Sequence, residues 1–218
     1  MDQTNKNGVG RRLADPSLWI LTASNVMTMA MAFIQGWEMG PVLWVYWAQS
    51  VIIGLTNFVR MINLKEFTTK GMTMNDHPVP ETSAGKYQVS FFFLFHYGFF
   101  HFVYAMLLIS DNFDGALTPE QVFTVSFCVL AFASSHIYSF VYNKGQDFRH
   151  KKPSLGTIMF YPYMRIVPMH LTIILGTAMG GQAILLFMGL KTISDAGMHM
   201  VEHYLFQKPV KERLEMKD

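Results

Sequence analysis

Between Gly181 and Phe206 the chain reads GQAILLFMGLKTISDAGMHMVEHYLF, a run long enough to cross a bilayer as a helix. It carries Lys191, Asp195, His199 and His203 at intervals of four residues. That spacing lines all four along one helical face. Ionisable side chains at membrane depth are costly and normally turn toward the bundle interior or a water-filled cavity. A polar seam in a spanning helix restricts the fold to one in which other helices cover it.

Five further apolar stretches supply such helices. They are Leu18–Trp37, Pro41–Ile62, Val89–Ser110, Pro119–Asn143 and Leu155–Gly180, the last interrupted by Pro162 and Pro168, where a kink is expected. Charged residues make up 15% of the 218, against about 25% in an ordinary soluble domain. The expected fold class is therefore all-α, a polytopic membrane helical bundle of about six transmembrane helices. Basic residues mark every second connection. Lys6, Arg11 and Arg12 precede the first span; Arg60, Lys65, Lys70 and Lys86 surround the second connection; Lys144, Arg149, Lys151 and Lys152 fill the fourth; Lys208, Lys211, Arg213 and Lys217 follow the last span. The connections between carry none, which predicts both termini in the cytoplasm. The division that follows is a cytoplasmic N-terminal segment (1–17), a six-helix transmembrane domain (18–206) and a cytoplasmic tail (207–218), in a protein integral to the cell membrane.

The single cysteine, Cys128, excludes an internal disulfide and a cysteine-built zinc cage; inside an apolar run it reads as a small buried hydrophobe. No nucleotide-binding loop is present, and no nucleic-acid partner is expected. The bilayer is the expected partner, with a lipid or other hydrophobic molecule as substrate class and room for a homo-oligomer. Loop 65–87 reads as an exposed cytoplasmic excursion, and His77 and His150 as solvated. Trp19, Trp37, Trp44, Trp47, Tyr161 and Tyr163 mostly read as interface anchors.

Six of the eight histidines fall inside spans: His96 and His101 in the third, His136 in the fourth, His170 in the fifth, His199 and His203 in the sixth. One histidine in an apolar helix is most often a satisfied structural residue. Six, accompanied by Asp195, Lys191 and Arg165, form a constellation. With 1.5 Å of rise per residue, His96, His136 and His199 each lie roughly 10–12 Å from the cytoplasmic ends of their helices. His199 and His203 are one turn apart and can reach a single ion from one face. The expected metal ligands are His96, His136, His199 and His203, around zinc, with iron or copper as alternatives. Asp195 is a further ligand, a hydrogen-bond acceptor for His199 or a general base, and Lys191 one turn away is its expected charge partner; together they are the expected catalytic residues. His101 and His170, nearer the midplane, and Arg165, between the two layers, are expected to contact the cofactor. His96 and His101 stand about 140° apart on their helix, so they should serve different partners. Asn25, Tyr46, Gln49, Asn57, Tyr97, Ser134 and Ser135 are further polar residues available to a cavity.

Four phrases, Trp47–Gly54, His96–His101, Arg165–His170 and Lys191–Asp195 running on to His199, resemble a prokaryotic integral-membrane family known only as a domain of unknown function. The resemblance covers most of the chain and implies a six-span unit but no activity. His199 and His203 are also similar to the last-span pair of the alkaline ceramidase and adiponectin receptor hydrolases, which implies a metal. Those proteins have seven spans and place Ser or Glu four residues before an early histidine. Here Phe92, Tyr97, Phe132 and Ile166 occupy those positions. Three functions follow as expectations: a metal-dependent membrane enzyme (lipid hydrolase or oxidoreductase), a haem-binding electron carrier, or a proton- or ion-coupled transporter. A structural membrane protein is the fourth reading.

Overall fold

The computed structural model describes residues 26–28, 30–37, 39–110, 116–143, 152–164, 166–168, 170–171, 189–190 and 194. Four helices organise them: α1 (Met39–Ile62), α2 (Ser83–Ile109), α3 (Pro119–Asn143) and the short α4 (Leu155–Phe160). Residues 26–28 and 30–34 are helical ahead of α1, and 163–164, 166–168 and 170–171 are helical after α4. Among the described residues three helices are long and apolar enough to cross a membrane: α1, α2 and residues Pro119–Tyr138 of α3. The chain is mostly helical, and these helices suggest a membrane protein.

Local chemistry sets the helix ends. Residues 32–37 close the first helix with paired bonds, Trp37 N–H to the Ala32 carbonyl (2.8 Å) and Gly36 N–H to the Phe33 carbonyl (3.3 Å). Gly36 sits between them at φ +59°, which a residue with a Cβ adopts at a cost. Trp37 turns inward and is buried, with its indole N–H on Gln35 (2.7 Å), rather than anchoring at an interface. At α3, Thr118 and Gln121 exchange side-chain-to-backbone bonds (2.9 and 3.3 Å), a capping box around Pro119. Thr82 caps α2 by accepting the Gly85 N–H, and Ser154 caps α4 by accepting the Thr157 N–H, each at 3.3 Å. α2 thus begins six residues before the apolar stretch that announces it. Hydropathy locates the part of a helix that sits in oil, whereas the cap decides where the helix starts. α4 ends at Phe160, just before Pro162, as the missing N–H requires.

α1 is the hub. It packs against α2, α3 and α4, and α2 also touches α4. α1 and α2 run antiparallel, a register fixed by Phe58 against Phe91, Trp47 against the His101 carbonyl and the Lys86 ammonium on the Leu64 carbonyl.

The connection between α1 and α2 differs from an exposed excursion. Leu64, Phe67, Thr69 and Val79 are buried within it. A short hairpin pairs Thr73 with Pro78 and Met74 with His77. Its turn residues Asn75 and Asp76 both have positive φ (51° and 62°), the pattern of a two-residue hairpin that Asn and Asp tolerate best. The Thr68 backbone then pairs with Pro153 and Leu155 at 2.9 Å, tying this loop to the start of α4. Glu81 accepts from the Thr68 hydroxyl (2.5 Å) and the Thr69 N–H (3.2 Å). These bonds, with Lys152 nearby, hold its carboxyl below the usual glutamate range. His77 is exposed, as expected.

Candidate functional site: the polar interior of the helix bundle

The two faces of α2 are sorted in the opposite sense from a soluble helix. Its exposed stripe is Phe91, Phe95, Phe99, Phe102, Met106 and Ile109. Its buried stripe includes Ser90, Tyr97, His101 and Tyr104 among apolar residues. In water such an arrangement would expose a large apolar patch. In a bilayer it follows directly, because oil solvates the phenylalanines and the polar groups find partners only inside.

Those partners come chiefly from α1. The Tyr97 hydroxyl meets the Ser50 hydroxyl at 2.7 Å and donates to the Ser50 carbonyl at 3.0 Å. One turn along α1, a Cβ on Gly54 would stand 2.3 Å from Tyr97 Cε1, so only glycine leaves room for the phenol. Ser50 and Gly54 form a small-x3-small pair, the spacing that lets membrane helices approach closely. The Trp47 indole N–H donates to the His101 carbonyl at 2.8 Å. Trp47 therefore serves the interior contact between α1 and α2 and not the anchor role read from its sequence position.

His101 is 4% exposed. Its Nδ1 lies 2.9 Å from the Tyr97 carbonyl, which can only accept, so Nδ1 carries the proton. Nε2 then presents a lone pair, buried and without a partner. The imidazole packs on the Tyr97 ring at 4.3 Å and edge-on to Tyr104 at 6.1 Å. Tyr104 in turn bonds His170 Nδ1 at 2.9 Å. The midplane histidines expected near a cofactor are thus linked through one tyrosine.

The other expected ligands face different neighbours. His96 is exposed and bonds the Tyr163 hydroxyl through Nδ1 at 2.8 Å. Tyr163 packs against Phe93 and Tyr97 as well, an interior position rather than an interface one. The separation of His96 from His101 agrees with their angular spacing on the helix. His136 meets α1 on its α3 side. Thr56 gives its proton to the Ile53 carbonyl (3.0 Å), so His136 Nε2–H is the donor in its 3.0 Å bond to the Thr56 hydroxyl. Asn57 donates to the Ile158 carbonyl at 3.0 Å, joining α1 to α4, while its Oδ1 has no partner. Gln49 is 0% exposed with both side-chain polar atoms unpartnered.

Asp195, Lys191, Arg165, His199, His203 and Asn25 lie outside the described residues. Next to Asp195, Ser194 is described, and its hydroxyl donates to the Met164 carbonyl at 2.9 Å. Among the described residues no three His, Cys, Asp or Glu side chains gather closely enough to hold an ion. The expected set draws half its members from outside them. Gly54, Thr56 and Tyr104 were not singled out from the sequence. Gly54 was detectable from its spacing to Ser50, and Tyr104 from its place one turn beyond His101.

No curated protein and no solved structure matches this chain. A family model matches residues 8–212, nearly the whole of it, and the chain accordingly belongs to a family of unknown function, DUF6498.

Proposed function

We propose that the protein is a six-span membrane protein of the cell membrane, with both termini in the cytoplasm, whose interior forms a histidine centre for a divalent metal ion. One observation carries the proposal: the buried His101 ring, with Nδ1–H fixed on a backbone carbonyl and Nε2 open. Metal-binding histidines adopt this state, because the outer hydrogen bond sets the tautomer and aims the ligating nitrogen. His101 therefore joins His199 and His203 as a candidate ligand, while His96 and His136 face other neighbours. His170, coupled to it through Tyr104, is a neighbour that would sense a bound ion.

Neutral imidazoles suit zinc, iron or copper. A zinc ion would supply Lewis acidity for hydrolysis of a lipid amide or ester. Asp195, as base, and Lys191, as its charge partner, complete the proposed enzyme.

Elemental analysis and an absorption spectrum of the purified protein test this reading. Stoichiometric metal is expected in the wild type, lost in His101→Ala and in His199→Ala but retained in Phe95→Leu. A metal-free wild type, purified without chelator, overturns it. A Soret band in its place would assign the histidines to haem.

A further inference from the structure

Among the described residues, Gln49 differs from every other unsatisfied group. Asn57 and His101 each leave one acceptor open; Gln49 leaves both its carbonyl Oε1 and its amide Nε2, in a side chain sealed from outside. Its direction follows from α1. Thr56 lies seven residues on, and seven residues turn a helix by about 700°, within about 20° of two full turns. Gln49 therefore shares the stripe of Thr56, which bonds His136 of α3 across a sequence separation of 80. Arg60, one turn beyond, lies over the Phe140 ring of α3, at the same separation. That register sets Gln49 at the level of Val129, between Cys128 and Phe132, both fully buried. The Cys128 thiol is hydrogen-bonded to Thr28, also buried.

Among the described residues on the α3 side of α1 at that level, Gln49, Thr28, Cys128, Val129 and Phe132 are all uncharged. An ion would have no countercharge here, and the Nε2 protons repel a cation. An open donor beside an open acceptor calls for a neutral molecule that both gives and takes a hydrogen bond. We propose that Gln49 holds such a molecule between α1 and α3, one bearing a hydroxyl or water O–H that donates to Oε1 while its oxygen accepts from Nε2. Lipid around the bundle cannot satisfy the amide through its hydrocarbon, so the molecule is retained as part of the folded protein. This site requires no metal.

The test uses the full chain, isotopically labelled and reconstituted in phosphatidylcholine nanodiscs. The Gln49 side-chain amide resonance is assigned by its loss in Gln49→Met, or in Gln49→Glu should the methionine variant not fold. Magnetisation transfer from that amide is then recorded. A cross-peak to water supports the site with water as occupant. A cross-peak to a hydroxyl of a co-purified lipid or solute supports it with that molecule instead. An amide with no cross-peak to either overturns it.

Discussion

α1 and α2 are both long and apolar enough to cross a membrane, yet half of the α1 span is buried and little more than a quarter of the α2 span (50% and 28%). Their sequences explain the difference. α1 sends small and polar residues inward: Gln49, Ser50, Gly54 and Asn57. α2 keeps a phenylalanine stripe outward and a narrower polar stripe inward. Where lipid is as apolar as leucine, helices gain nothing from hydrophobic burial alone. Close approach and interhelical hydrogen bonds decide which helix becomes the centre. A helix surrounded on three sides must be the slim one, and bulk migrates to the rim. α3 follows the α2 pattern, 22% buried, with Phe123, Phe127 and Leu130 outward.

The contrast breaks most sharply at Phe95, mid-helix on the outer stripe of α2. Phe95→Asp should cost about 3 kcal/mol of insertion free energy if that face meets hydrocarbon. Phe95→Leu should be neutral. Glycosylation-mapped insertion and detergent-extracted yield measure this, and an Asp variant that inserts like wild type would remove the lipid-facing assignment of α2.

Two glycines make the next comparison. A Cβ at Gly54 collides with Tyr97, whereas one at Gly98 on α2 meets nothing within 4 Å. Gly54→Ala is expected to destabilise by about 1–3 kcal/mol through overpacking. Gly98→Ala should be neutral, or stabilising by up to about 1 kcal/mol from helix propensity. Thermal unfolding of the two variants side by side reads the difference; equal melting temperatures would mean that α1 is no tighter than α2.

Tyr97→Phe tests the polar part of the same contact. It leaves the buried Ser50 hydroxyl without its tyrosine partner and should cost about 1–2 kcal/mol. Restoring stability with Ser50→Ala in the double variant would identify the loss as a pairwise hydrogen bond.

The smallest effect concerns the loop that fastens α1 to α2. The Glu81 carboxyl is held low by the Thr68 hydroxyl first and the Thr69 N–H second. A carboxylate whose folded pKa lies below its unfolded value contributes stability above the unfolded value, about 4.3, and loses it as pH falls through the folded one. The protection factors of amides in residues 68–82, exchange measured against the intrinsic rate at each pH, should therefore fall on acidification below about pH 4. Glu81→Gln should flatten that dependence. An unchanged profile in the glutamine variant would show that the carboxylate does not hold the loop.

Much of this architecture was legible beforehand. The apolar runs gave α1, α2 and α3 to within six residues, and Pro162 gave the break after α4, because hydrophobic length and a missing N–H act locally. The anchor role read for Trp37, Trp47 and Tyr163 failed because an amphipathic aromatic ring suits an interface and a buried polar contact equally well. The loop between α1 and α2 looked exposed because its buried members, Leu64, Phe67, Thr69 and Val79, are scattered without period and gain their shelter from Pro153–Leu155, distant in sequence.

By itself, the sequence determined the solvent. So few charges spread over such long apolar runs favour helices in oil, since only a helix or a closed barrel satisfies its own backbone there. It also determined that histidines enter those helices. Among the described residues, only the tertiary structure decided that α1 contacts each of α2, α3 and α4 and that His101 is sealed with an open nitrogen. Those outcomes depend on contacts between residues scores of positions apart, Ser50 with Tyr97 and Thr56 with His136, and no local pattern encodes which surfaces will meet.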